Sequence, residues 1–289
     1  MFIVPLSVVS SDSMTALHDL LFNHCKTIKV SSYAKRPAQI FCTSCVANTI
    51  ISLTKTNTKC ERLWTTKMNR LPKRKDLSGL LGTLKFTDGL RFRMRGRIPK
   101  ISLPIEKRIL KKLFAKKHTP IRDLIDKNGN PIYYRVAGGR YFNIVTNAPT
   151  GSTQEKSVCF GKKLANIVGA ILSSNLFYWY QQVYYDNLHI KSYEIESFPI
   201  PIEDLTPAIR RRIEKLYEQY LRDIERHVIE RESQGYKHIT KYKEYKIRYS
   251  KTLIDAMDDI ICPLYGLTEE ETEFIKNYEL RFRIDTPVR

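Results

Sequence analysis

The sequence predicts an α/β fold in three stretches: the incomplete edge of a larger α/β sheet, then a mixed α/β middle, then an α-helical C-terminal region. Three observations lead there. The start is rich in strands, but it holds too few β-α units to close a doubly wound domain. An aromatic, glycine-bearing run from Ile132 to Phe142 precedes an apolar helix of 3.6-residue period. Beyond Pro201 the composition changes, and apolar residues recur at helical spacing. The implied boundaries are 1–65, 66–202 and 203–289.

Taken in order, Phe2-Ile3-Val4 reads as a short buried strand stopped by Pro5. Ser10 to Asp12 cap a helix whose apolar side is Met14, Leu17, Leu20, Leu21 and Phe22. Ile28–Ser31 and Val46–Leu53 read as strands. A helix opens at Pro104 and runs through Lys117, with Ile105, Ile109, Leu110, Leu113 and Phe114 on one side. Asp126 to Pro131 is a turn signal, and Thr146 to Lys156 has the composition of a loop. A helix from about Lys163 carries Leu164, Ile167, Val168, Ile171 and Leu172. Pro207 begins a long helix to about Glu232, which Gly235 ends. A basic, tyrosine-rich link from Tyr236 to Tyr249 follows, then a helix through Ile261 broken by Gly266. Thr268 with Glu271 forms a capping-box pattern for the last helix.

Charge narrows the function. Among 289 residues, 49 Lys and Arg face 30 Asp and Glu, a net charge of +19. Such an excess calls for an anionic partner, most often nucleic acid. A membrane surface is the alternative, but no long helix is basic on one face and apolar on the other, and no apolar run reaches spanning length. The basic runs are Lys73-Arg74-Lys75 and Arg91, Arg93, Arg95 and Arg97. They suit phosphate contacts or, more plainly, a solvated surface. In the central run, Arg135 and Arg140 alternate with aromatics around Gly138 and Gly139, as in a strand pair facing a polyanion or in a tyrosine-rich core. Lys191 lies in a polar segment after it.

The six cysteines form no dense disulfide framework, so a cytoplasmic setting is expected. Cys42-Thr43-Ser44-Cys45 lacks a second ligand pair beyond Cys60 and His24, so no metal site is expected. His189 has no carboxylate or serine partner in the pattern and is not a catalytic candidate.

Five pieces stand in order in the middle of the chain: Tyr133-Tyr134-Arg135, Gly138-Gly139-Arg140-Tyr141, Leu172-Ser173-Ser174, Phe177-Tyr178-Trp179-Tyr180 and Phe198-Pro199-Ile200-Pro201. To these are added Ile3-Val4-Pro5-Leu6-Ser7, Arg36 to Phe41, and Ile261 to Glu271. Their order resembles adenine-specific DNA methyltransferases of the type IIG, Eco57I-like restriction-modification family. The resemblance implies the end of a Rossmann-like methyltransferase sheet over 1–65 and a DNA target-recognition domain over 66–202. It sets Phe41 against an extruded adenine, with a core phenylalanine as the other reading.

The sequence departs from the family in two places. It contains no Pro-Pro pair, so the family's polar-Pro-Pro-aromatic tetrapeptide is absent and no catalytic residue is assigned. It also offers no glycine-rich turn after an N-terminal strand. The chain therefore looks like a portion downstream of the chemistry, whether a split subunit, a decayed gene or an excised fragment. On this reading it binds no cofactor alone, the complete enzyme uses S-adenosylmethionine, and a second polypeptide carries the missing motifs. A free-standing specificity subunit is the alternative. A nuclease is not supported, because the only E-x-K, Glu244-Tyr245-Lys246, has no Pro-Asp partner upstream.

Overall fold

The computed structural model describes residues 1–41, 46–115, 117–137, 141–186, 189–234 and 239–284. The chain divides into two compact units, residues 1–111 with 180–186 and residues 112–179 with 187–289. The fold is mixed α/β, with an open mixed sheet near the start and a largely helical C-terminal region.

The first unit holds β1 (Phe2–Pro5), α1 (Ser7–Ser10), α2 (Thr15–His24), β2 (Cys25–Tyr33), β3 (Asn48–Lys55), β4 (Arg62–Asn69), α3 (Leu77–Gly82), β5 (Thr87–Asp88) and most of α4 (Pro104–Leu113). The sheet order is β1-β3-β2-β4-β5. Only β2 and β4 run parallel; the other neighbours are antiparallel. Leu6, Val9, Phe22, Ile28, Val30, Ile51, Leu63, Met68 and Ile98 make its core.

Three expectations change here. β1 forms but is not buried: Phe2 is 59% and Ile3 52% exposed, and Val4 alone of the three packs on the core. A strand at the sheet's edge has a neighbour on one side only, so its apolar residues stay open. On α2 the inward positions belong to His18 and Phe22, one turn apart, and Leu17 and Leu20 are exposed. His18 holds the inward place because its Nε2 meets the Val8 carbonyl at 2.6 Å; burial lowers its pKa. Finally, β4 runs through residue 65 and extends the sheet, so the expected boundary there falls inside a strand. The run Leu63-Trp64-Thr65-Thr66 has the β-branched and aromatic makeup of a strand.

The second unit contains β6 (Thr119–Pro120), β7 (Ile125–Arg135), β8 (Val145–Thr146), β9 (Glu155–Phe160), α5 (Ala165–Ser173), the start of α6 (Asn175–Tyr184), α7 (Ser192–Glu196), β10 (Pro199–Ile200) and α8 (Pro207–Arg226). It continues with β11 (Val228–Gln234), β12 (Ile239–Tyr245), α9 (Lys251–Leu264), α10 (Glu269–Lys276) and α11 (Leu280–Arg283). β7 is flanked antiparallel by β8 and β9, so the aromatic run does begin a strand pair. The Asp126–Pro131 turn signal is absorbed inside β7 as a register shift, and at Gly129 the Phe160 carbonyl comes too close for any Cβ. α5 packs against α8, α9 and β7, so the helical region shares its core with the middle of the chain and no division falls at 203. At Gly169 of α5 an added Cβ would strike the Tyr217 ring of α8.

Thr206 caps α8, accepting from the Ile209 amide, with Pro207 in the first turn. The helix ends at Arg226, not near Glu232, because the following residues pair as a hairpin. Its cross-strand charges match: Glu232 faces Lys241, their charged atoms 3.5 Å apart, and Arg231 donates to Glu244 at 2.9 Å. The C-terminal region is therefore helical with one hairpin set into it. The Thr268–Glu271 capping box forms as expected, and Glu271 also accepts from Lys112 at 2.6 Å. Among the described residues no helix is long and apolar enough to cross a membrane.

Candidate nucleic-acid interface

Lys73, Arg74 and Lys75 lie on an exposed 3-10 turn just after β4. Arg91, Arg93 and Arg95 are exposed around a second such turn, Leu90–Phe92. None of these six takes part in an ion pair among the described residues, whereas Lys26, Arg62 and Arg97 of the same unit do. Arg93 is fixed in direction, its guanidinium 3.9 Å from the centre of the Phe22 ring. Arg97 departs from expectation. It is 6% exposed, bonded to Asp12 at 2.8 Å, and lies over the Tyr185 ring. It is spent holding the turn where Gly96, at φ +69, leaves no room for a Cβ against Asp12, and it is withdrawn from the phosphate contacts.

Phe41 is 39% exposed, which removes the core reading for it. The segment leading to it is tied to the end of β4: Ala38 bridges Leu71, the Ala34 amide donates to the Asn69 carbonyl at 2.9 Å, and Arg70 donates to the Arg36 carbonyl at 3.3 Å. Arg70 carries no motif, and no pattern in the sequence marks it as this tether. Phe41 and the Lys73 turn therefore leave the same bridged pair of segments. Cys42 and Cys45, the lone C-x-x-C, lie outside the described residues.

In the second unit the expected residues are less available. Arg135 is half-buried, with its guanidinium 4.9 Å from the Tyr242 ring centre. Lys191 is half-buried near Tyr193, and His189 is exposed where it bridges Ala137. Arg140 lies outside the described residues. The loop after β8 is braced internally, Thr150 donating through its amide and hydroxyl to Glu155. A shallow pocket of about 300 Å³ opens between that loop and α8, lined by Asn147, Glu218, Arg222, Glu225 and Tyr245. Its carboxylates already have cations: Arg222 meets Glu218 at 3.4 Å, and Lys243 meets Glu225 at 2.9 Å.

The aromatics of the central stretch serve the core. Tyr134, Phe142, Phe177, Tyr178, Trp179 and Tyr180 are all buried. The Leu172-Ser173-Ser174 landmark runs into a helix junction, since α5 ends at Ser173 and α6 begins at Asn175. Ser174 Oγ accepts from the Phe177 amide at 3.1 Å, and the Asn175 and Leu176 amides donate to Asp258 of α9 at 3.0 and 3.3 Å. Asn175 Nδ2 also donates to Asp258 at 2.6 Å and to Asp255 at 2.8 Å. Complete burial raises the Asp258 pKa to about 6 against these bonds. The Phe198–Pro201 hook is buried too: β10 pairs with β6, and Tyr265 donates to the Pro199 carbonyl at 2.9 Å.

The arrangement thus offers unpaired cations and, beside one of the basic turns, the exposed Phe41 in the first unit, which suits contact with phosphates and with a base face. Compared with known proteins, the chain matches no family model and no curated sequence.

Proposed function

We propose that this chain is the DNA-binding, target-recognition portion of a site-specific N6-adenine DNA methyltransferase of the type IIG restriction-modification kind. The single observation that carries the DNA contact is the set of six exposed cations without ion pairs, leaving the same unit as an exposed Phe41. Cations answered by carboxylates release little on meeting phosphate; unanswered ones each displace a counterion. Phe41 then supplies the surface against which an extruded adenine rests. The rest is carried by the resemblance: S-adenosylmethionine as methyl donor, and a donor pocket and catalytic loop supplied by residues outside these 289.

One observation favours docking to another polypeptide, whether a methylase partner or, in the second reading, the subunits served by a free-standing specificity module. β1 leaves Phe2 and Ile3 open at the sheet's edge, and α2 leaves Leu17 and Leu20 open. The test has two arms. Gel shifts of the chain with duplex DNA across a salt series should show affinity falling steeply as salt rises. Tritiated methyl transfer to DNA should require a polypeptide bearing the donor pocket in addition to this chain. Salt-indifferent binding defeats the phosphate contact, and methyl transfer by the chain alone defeats the division of labour.

A further inference from the structure

The protein has 17 tyrosines, and among the described residues Tyr249 is the only one that is exposed, at 56%. Its setting is built. It lies in the 3-10 turn Ile247–Ser250, whose first and last residues are buried. The Tyr249 amide donates to the Lys246 carbonyl at 3.1 Å, and the Lys246 amide donates to the His227 carbonyl at 3.2 Å. Ser250 Oγ donates to Asp223 at 2.8 Å. The ring itself is steadied from two sides. The His227 ring centre is 5.1 Å away, and the Arg248 guanidinium lies 4.8 Å from the ring centre and donates to the phenol oxygen at 2.8 Å. Arg226, its side chain 76% exposed, stands next to His227 and 3.7 Å from Asp223. Asp223 is the patch's carboxylate. It is tied to Ser250 and met by Arg226 and, at 3.9 Å, by His227, so its charge is answered from within.

A ring recruited for the core would be covered, as Tyr178, Tyr217, Tyr220 and Tyr265 of this unit are. This one is held in one direction and left open, so a flat ligand can stack on it with little further loss of freedom. The cations beside it favour an anionic ligand. Base pairs within a duplex have both faces occupied by their neighbours, so only an unpaired base has a face to give. We infer that Tyr249 receives an unpaired nucleotide of bound DNA, the base against its ring. This rests on the DNA-binding reading above and assigns it a contact in the C-terminal region.

The test uses the full chain and two labelled DNAs, a blunt duplex and the same duplex with a single-stranded overhang. Tyr249→Ala should weaken binding to the overhang DNA about tenfold and leave the blunt duplex within about twofold, while Tyr249→Phe, which keeps the ring, should stay within about twofold on both. Thermal melting should be unchanged in both variants. Undiminished overhang binding by Tyr249→Ala overturns the inference alone, as does an equal loss on both DNAs. If the unaltered chain binds neither DNA, the DNA reading falls and the inference with it.

Discussion

The two units differ in where their cations find carboxylates: the first leaves two compact basic runs unanswered, and the second ties many of its cations into ion pairs. In the first, Lys73, Arg74, Lys75, Arg91, Arg93 and Arg95 stand exposed without carboxylate partners. In the second, six cations are answered, Lys112 by Glu271, Lys117 by Asp204, Arg231 by Glu244, Lys243 by Glu225, Lys251 by Asp255 and Lys276 by Asp259, while Lys127, Lys162, Lys163, Arg211 and Arg212 stand exposed without an ion pair among the described residues. A net charge of +19 is the same number wherever the excess sits, and only the fold tells spent charge from available charge. What this teaches is that composition points to an anionic partner, while pairing shows which cations are open to one.

If the contrast is sound, breaking a pairing in the second unit costs stability, whereas removing cations from the first costs binding. The largest expected effect is Asp258→Ala. It strips the acceptor from the Asn175 and Leu176 amides and from Asn175 Nδ2, all buried. Leaving such donors unsatisfied should destabilise the unit by about 3 kcal/mol, read as a lower urea midpoint at unchanged slope. A loss under about 1 kcal/mol would mean water replaces the carboxylate.

Next comes the triple change of Lys73, Arg74 and Lys75 to Ala. It should leave the urea midpoint in place and weaken duplex binding roughly ten- to a hundredfold at low salt, with the log–log salt slope shallower by about 3. Loss of affinity with an unaltered slope would place these residues away from phosphate. The same change at Arg97, by contrast, should act on stability through its bond to Asp12.

Phe41→Ala sharpens the comparison within the first unit. It should reduce methyl transfer by the completed enzyme about tenfold while leaving duplex affinity nearly intact, because it removes a base face and no charge. Equal losses in affinity and transfer would make Phe41 part of the general binding surface.

How much of this was legible in the sequence follows from what each signal measures. Local chemistry was readable: the Thr268–Glu271 box, the Pro207 helix start, and Ile109, Leu110 and Leu113 on the buried side of α4. Decisions made at long range were not. Arg97 and Arg95 are two steps apart in one basic run, but only Arg97 finds Asp12, 85 residues away. The helix expected to reach Glu232 stops at Arg226 because residues 228–234 pair with 239–245, a hairpin arm that lies in the stretch read as a link. The aromatics of 177–180 carry the family resemblance, and packing takes all of them. Exposure is set by what covers a residue, which is why Tyr249 does not stand out in the sequence from the buried tyrosines of the same unit.

The smallest effect concerns the charge of Asp258 itself. Its carboxyl is wholly buried, and desolvation, opposed by the Asn175 and Leu176 bonds, raises its pKa to about 6, with Asp255 adding to the rise. Lys251 and Arg283 are near enough to feel it, and the Cys262 thiol faces it at 3.7 Å. The unfolded value is near 3.9, so the folded state holds this proton more tightly than the unfolded one does. Stability tied to the group is therefore fully present below about pH 4 and is lost as pH rises through about 6. Between pH 5 and pH 7 the expected difference is roughly 1 kcal/mol, with the protein more stable at the lower pH as far as this residue goes. Glu225 and Glu244, whose pKa values are lowered by their partners, work the other way, but only as pH falls below the ordinary carboxylate range. The measurement is the urea midpoint at pH 5, 6 and 7 for the unaltered chain and for Asp258→Asn, which cannot titrate. The variant's pH dependence should lack the gain toward pH 5, and parallel curves for the two proteins would show that Asp258 stays ionised in its buried site.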